Sequence, residues 1–241
     1  MTTVEKEPLY NEKAAAGKMF NRIYKRYDLL NHVLTMRLDV RWRKLVAQRI
    51  QEHSGKNKKK VLDIAMGTGD LAISVQKRNS GHQFVCLDIA ENMMLLAKEK
   101  MQKRRIKDVE FVLGDAAELT LDDAGFDFIT IGFGVRNFPE LDRSMKECRR
   151  VLKQGGRMYI LEFGWPHNKV FGWLYKIFSR TIIPFLGWII AGDRAAYEYL
   201  RTTIRSFPYG AEFEARLRGA GFTEISSTPL AGGIVYLYEA A

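Results

Sequence analysis

Apolar residues in the first fifty positions recur at helical spacing, over Ala14 to Leu30 and again over Val40 to Gln51. From Val61 onward the pattern changes. Short β-favouring runs at Val61–Ala65, Gln83–Asp88, Val109–Leu113, Phe126–Ile131 and Arg157–Phe163 alternate with amphipathic stretches at Leu71–Arg78, Asn92–Lys103 and Glu140–Leu152. Strands alternating with helices predict βαβ units on a parallel sheet. The third of these helices is expected to stop at Gly155-Gly156, since glycine is the common helix C-terminal residue. A helix over Tyr209–Gly219 and strands over Phe222–Ser227 and Ile234–Tyr238 complete the pattern. The last two strands can pair as a hairpin, which adds antiparallel pairing to an otherwise parallel sheet. The expected class is α/β: a Rossmann-like, mostly parallel seven-stranded sheet with an antiparallel last strand, N-terminal helices (1–55) and a helical insertion (165–206), in a single domain over 1–241.

The insertion differs in character from the rest. Trp165 to Ile190 is rich in aromatic and aliphatic residues, but Lys176, Arg180 and Pro184 interrupt it. The uninterrupted run is shorter than the ~20 residues a membrane span requires. A lid, a lipid-surface helix pair and a buried insertion are all consistent with it.

Composition narrows the setting more than the function. Hydrophobic residues make up 46% and charged residues 27% of the 241, as in ordinary globular proteins. Cys86 and Cys148 are too few for a disulfide framework and lack metal-ligand spacing, so buried thiols in a reducing compartment are expected. MTTVEKEPLYNEK carries no apolar signal core, so a cytoplasmic protein is expected. The net charge of +10 suits nucleic acid, anionic lipid headgroups, an acidic substrate or simply a solvated basic face. Four scattered histidines show no metal spacing, and no metal site is expected.

Chemistry concentrates where strands end. In VLDIAMGTGDLA a strand runs into Gly67-Thr68-Gly69 and then a helix, a turn that lets a ligand approach the backbone closely. Asp88 ends the second strand about 20 residues beyond the glycines, where a carboxylate can accept both ribose hydroxyls. Taken alone, the glycine pattern would also suit a dinucleotide. Three features favour S-adenosylmethionine instead. Asp63 lies inside the first strand, where an acid suits an ammonium group and would repel a pyrophosphate. Leu113-Gly114-Asp115-Ala116 ends the third strand with an acid placed for an adenine amine. The double glycine before the fifth strand and the terminal hairpin complete the strand series of a methyltransferase. Asp63, Asp88 and Asp115 would then share one crevice at the switch point of the sheet. No Ser/His or Cys/His pair is present to supply a nucleophile, and methyl transfer from a sulfonium needs alignment and water exclusion more than acid–base chemistry. No Pro-Pro follows the fourth strand, as base-amine methyltransferases usually require, so nucleic acid is not expected as a partner.

At this point the chain resembles the ubiquinone/menaquinone-biosynthesis C-methyltransferase family over nearly its whole length. The residues that carry the resemblance are Tyr27-Asp28-Leu29-Leu30-Asn31 with Thr35, Asp39 and Trp42, then FGVRN after the fourth strand, then Arg150-Val151-Leu152-Lys153-Gln154-Gly155-Gly156 leading to Leu161-Glu162-Phe163-Gly164. Leu30, Thr35, Asp39, Gln154 and Gly164 replace the family's Met, Ser, His, Pro and Ser. The resemblance implies methylation of a ring carbon on a polyprenylated quinol, a naphthoquinol by similarity to the menaquinone branch and a benzoquinol as the alternative. An NAD-dependent oxidoreductase and an RNA-directed binding module are the competing classes. By analogy Thr68, Asp88, Asp115 and Ala116 line the cofactor site, joined by Gly67, Gly69 and the backbone of Gly132. Arg136 is expected to stabilise a quinol phenolate, with Asn137 orienting a ring oxygen and Tyr27 and Asp28 as acceptor contacts. A water, Asp28 or Asp39 would take the proton. The lipophilic quinol is the implied partner, and its tail together with the basic surface is consistent with peripheral contact with an anionic membrane face from the cytoplasmic side; the sequence leaves open whether the protein is a monomer or a homodimer.

Overall fold

The computed structural model describes residues 10–166, 172, 199 and 202–241. Two helices open the chain, α1 (Tyr10–Leu34) and α2 (Leu38–Ser54). Then follow β1 (Lys60–Ile64), α3 (Asp70–Arg78), β2 (Gln83–Asp88), α4 (Glu91–Lys103), β3 (Val109–Leu113), β4 (Phe126–Gly132), α5 (Leu141–Val151) and β5 (Leu152–Phe163). The chain closes with α6 (Ala211–Gly219), β6 (Ile225–Leu230) and β7 (Val235–Ala240). Most of the expected apolar insertion lies outside the described residues.

The strands form one seven-stranded sheet in the order β3-β2-β1-β4-β5-β7-β6. β1 to β5 run parallel, and β7 pairs antiparallel with both β5 and β6. Period-two alternation sorts the central side chains onto two faces. Leu62, Ile64, Ile129 and Ile131 pack with Met145, Cys148, Phe213 and Leu217 of α5 and α6. Val61, Phe84, Phe128 and Tyr159 pack with Val46, Ile50, Leu71 and Ala97 of α2, α3 and α4. Cys86 and Cys148 are buried free thiols within these layers. The order of winding reverses at β1, with β2 and β3 added on one side and β4 and β5 on the other, so a crevice opens beyond the C-terminal ends of β1 and β4.

Three element boundaries differ from the sequence pattern. The helix before β5 ends at Val151, and Leu152 is already extended (φ −79°, ψ 131°). The two glycines therefore lie inside the strand. There the pairing with β4 shifts from Phe126↔Leu152 to Phe128↔Arg157. This bulge explains both residues: Gly155 takes φ +72°, and a Cβ on Gly156 would stand 2.9 Å from the Asp127 carbonyl oxygen. At the C-terminus β6 is displaced to Ile225–Leu230 and includes Pro229. The strand is an outer edge of the sheet, where a missing N–H is tolerated. At the N-terminus α1 and α2 run longer than their apolar periodicity indicates, with Met36 and Arg37 at positive φ in the sharp corner between them.

Candidate active site

Residues from seven places in the chain line one cleft at the switch point. β1 delivers Asp63, fully buried, beside Thr130 of β4 with which it is in register. The Thr130 hydroxyl donates to Asp63 Oδ1 at 2.7 Å. Asp63 Oδ2 is buried and has no hydrogen-bond partner among the described residues. Burial raises the Asp63 pKa to about 7, against the opposing pull of the Thr130 hydrogen bond. A buried carboxylate oxygen without a donor is costly. A ligand ammonium would supply the missing donors and the compensating charge, and that is a group an α-amino acid carries.

The loop after β1 turns sharply. Ala65 has φ 51° and Gly67 φ 56°. The Gly67 N–H donates to Asp88 Oδ2 at 2.7 Å, and the Ala90 N–H donates to Oδ1 at 2.8 Å. These bonds hold the carboxylate at the end of β2 in one orientation while burial raises its pKa. Asp115 Oδ1 accepts from the Ala117 N–H at 2.9 Å, which braces the loop after β3. Asp115, Ala116 and Gly132 also line the cleft. Gly69 does not. Its φ of +79° and the 2.8 Å approach of Met101 Cε to a notional Cβ show that it serves close packing of α3 on α4. An acid for an ammonium, an acid for ribose hydroxyls and an acid beside a small residue at the third strand together fit S-adenosylmethionine.

The opposite wall comes from α1 and the end of β4. Tyr27 and Asn31 line the cleft from α1, and Phe20 packs edge-on against Tyr27 at 5.9 Å. Burial raises the Tyr27 pKa; the charge of Arg136 opposes this. At the end of β4 the chain enters positive φ at Phe133 (59°) and then a 3₁₀ turn over Val135–Asn137. Gly134 packs so closely on Ala65 that a Cβ there would lie 2.6 Å from the alanine's own. Asn137 reaches the cleft, and its Oδ1 is buried with no partner among the described residues.

Arg136 is placed differently. Its side chain is only 4% exposed and pairs at 2.9 Å with Glu162 Oε1, which is fully buried on β5. The guanidinium also bonds the Phe133 carbonyl and lies over the Phe163 ring. It stands behind the cleft wall, not in it. Asp28 likewise does not line the cleft, although its partner Thr68 does. It accepts from the Thr68 hydroxyl at 2.5 Å and from Lys100 at 2.8 Å. Asp39 is fully buried and held by Thr35, His32 and Arg43 at 2.8, 2.7 and 2.8 Å. Neither carboxylate reaches the cleft to act as a base there.

The partners that make these placements carry no motif of their own in the sequence. Lys100 of α4 bonds Thr68 at 2.9 Å, and also bonds Asp70. Arg43 of α2 spans Asp39 and Asp70 at 2.8 and 3.3 Å. The result is a polar strap that ties α1 and α2 over the cofactor loop. Burial alone would raise the Asp70 pKa; the charges of Lys100 and Arg43 outweigh it and hold the group below its ordinary value. Among the described residues no group of His, Cys, Asp and Glu could hold a metal.

A doubly wound sheet with this acid triad at its switch point, and with an antiparallel seventh strand, defines an S-adenosylmethionine-dependent methyltransferase. Solved structures agree on the fold. A SAM-dependent methyltransferase from Aquifex aeolicus superposes with a TM-score of 0.55 at 18% identity, covering 80% of this chain and 88% of its own. The phosphoethanolamine N-methyltransferase 2 of Haemonchus contortus, bound to S-adenosylhomocysteine, gives 0.59 at 16% identity over 81% of this chain and 52% of its own. Sequence similarity goes further. Residues 8–241 match the ubiE/COQ5 methyltransferase family, and the chain belongs to it. The demethylmenaquinone methyltransferase of Thermotoga maritima is 40% identical over 219 residues, 90% of this chain and 92% of its own. The Thermus thermophilus enzyme of the same name is 39% identical, over 85% and 91%. The ubiquinone/menaquinone biosynthesis C-methyltransferase UbiE of Rhizobium meliloti is 37% identical, over 98% and 90%.

Proposed function

We propose that this protein methylates a ring carbon of a demethylmenaquinol-type naphthoquinol, with a benzoquinol as second acceptor. The names of its relatives support the acceptor class. The observation that carries the site assignment is the buried Asn137 Oδ1, without a partner among the described residues, in the cleft wall next to the strand that bears Gly132. A quinol hydroxyl is a donor and satisfies that oxygen. An oxidised quinone has only acceptors and does not.

When bound, S-adenosylmethionine supplies a methyl group already activated on a sulfonium. Asp63 holds its ammonium, Asp88 its ribose, and Asp115 with Ala116 its adenine. The protein's remaining task is orientation. Asn137 fixes the quinol oxygen, and Phe133, Tyr27 and Phe20 exclude water around the ring. With Asp28 and Asp39 outside the cleft, a water molecule would take the hydroxyl proton, which makes the neighbouring ring carbon nucleophilic. Methylation of that carbon would release S-adenosylhomocysteine, and the ring C–H proton would return through water to the ring oxygen, restoring the aromatic system with one proton released overall. Arg136 acts from behind the wall. Its charge reaches the Tyr27 phenol and favours negative charge on an adjacent phenolate.

The acceptor's lipid tail implies work at a membrane surface, from the cytoplasmic side. Among the described residues no helix is long and apolar enough to cross a bilayer. The α1–α2 corner exposes Met36 (73%) and Leu29 (55%) beside exposed Lys25, Arg37 and Arg41. That combination suits shallow contact with anionic headgroups.

Labelled S-adenosylmethionine supplied with demethylated naphthoquinols and benzoquinols, each oxidised and reduced, tests the reading. Label in the reduced naphthoquinol supports it. Equal transfer to oxidised and reduced forms, or none to any quinol, overturns it. Flotation with phosphatidylglycerol vesicles, against phosphatidylcholine controls, tests the membrane contact.

A further inference from the structure

The cleft carries four carboxylates, Asp63, Asp70, Asp88 and Asp115, and among its described lining residues one cation, Arg43. The imbalance poses a problem for the ligand. The amino-acid end of S-adenosylmethionine bears an ammonium and a carboxylate on the same carbon. Placing the ammonium at Asp63 brings the carboxylate close to the acidic wall. Without a positive partner it would be both repelled and stripped of water.

Arg43 is built to be that partner. It stands on α2, 9% exposed, next to Trp42, whose ring lies 6.1 Å from that of Phe133. Nη1 is pinned between Asp39 Oδ2 and Asp70 Oδ2. Asp39 is itself fixed by the Thr35 hydroxyl and by His32. A guanidinium is a rigid fork of five N–H donors, and Nη1 supplies two of them. Pinning one arm therefore orients the whole plane without side-chain entropy left to lose. The charge of Arg43 reaches Asp63 and Tyr27 as well as Asp70, so it operates at the amino-acid end of the cleft and not at the adenine end. Thr68 and the first turn of α3 border the same space, adding the positive end of that helix's dipole.

We propose that Arg43 forms a carboxylate-binding subsite for the amino-acid end of the methyl donor. Through it the cleft distinguishes an α-amino carboxylate nucleoside from the same nucleoside without its carboxylate. Asp39 is the positioning residue that aims it.

Calorimetric titration of the full chain with S-adenosylhomocysteine and with its decarboxylated counterpart, S-adenosyl-3-thiopropylamine, tests this directly. Both ligands keep the ammonium, so any difference belongs to the carboxylate. The wild-type chain should bind S-adenosylhomocysteine at least ~10-fold more tightly, the order expected of a charge-assisted hydrogen bond. Arg43→Gln should weaken S-adenosylhomocysteine ~10- to 100-fold and leave the decarboxylated ligand within about twofold, with Arg43→Lys in between. Equal binding of the two ligands by the wild-type chain would overturn the proposal without any variant. So would an Arg43→Gln chain that loses both ligands equally, as a purely structural role predicts.

Discussion

Asp63 and Thr130 stand side by side on neighbouring strands, joined at 2.7 Å through one carboxylate oxygen while the other is left buried and without a partner among the described residues. A buried carboxylate oxygen without a donor costs the folded chain stability. A carboxyl raised to about 7 binds a proton in the folded chain that the unfolded chain releases near its ordinary value of 3.8. Stability from this group is therefore present at low pH and lost as pH rises through 7.

Asp63→Asn should raise the melting temperature at pH 8 and flatten its fall between pH 5 and 8, as followed by circular dichroism. The same substitution should weaken S-adenosylhomocysteine by at least ~10-fold, since a charged hydrogen bond is lost. In the wild-type chain affinity should rise with pH up to about 7, because the ligand's ammonium requires the ionised acid. Calorimetry in buffers of different ionisation enthalpy should detect the proton released on binding. A stable Asp63→Asn variant with undiminished affinity would remove Asp63 from the site.

Asn137→Leu should lower kcat/KM for the reduced quinol by about 10- to 100-fold, the order of one unmade hydrogen bond to a buried polar group. Affinity for S-adenosylhomocysteine should not change. Parallel loss of both would place Asn137 in general support of the loop, not at the acceptor.

Glu162 and Arg136 form a buried pair, and breaking such a pair leaves an uncompensated charge costing about 3–5 kcal/mol. Glu162→Gln and Arg136→Met should each destabilise the chain by this order in urea unfolding, and the double variant by less than their sum. Additive losses would show that the two groups do not depend on each other.

Lys100→Met should loosen the strap that holds α1 over the cofactor loop. The expected signs are faster hydrogen exchange in α1 and faster cofactor dissociation, with α5 and α6 unchanged. Uniform exchange across the chain would mean global destabilisation instead.

Gly134→Ala places a methyl 2.6 Å from Ala65 Cβ, where the ends of β4 and β1 meet. Overpacking of this kind costs about 1–3 kcal/mol. Urea unfolding should show that loss, and cofactor affinity should fall with it because Ala65 leads the turn into Gly67.

Local pattern determined most of the architecture here. Alternating strand and helix periodicities, the glycine turn after β1 and an acid at the end of each of the first three strands follow from residue type and spacing. They held because each depends on neighbours in sequence. The double glycine before β5 misled for the same reason: it is a helix terminator by local rule, but pairing with β4 required a bulge at that point. Only the tertiary structure decided which polar groups face the ligand. Asp28, Arg136 and Asn137 look equally available along the chain. Yet Lys100 and Thr68 claim the first, Glu162 claims the second, and the third alone keeps an unpartnered oxygen in the cleft. By the same logic Arg43, which carries no motif of its own in the sequence, is the cation among the described residues that line the cleft. Which charge is free to act depends on partners 26 to 72 residues away along the chain, and desolvation sets the cost of each placement only once those partners meet.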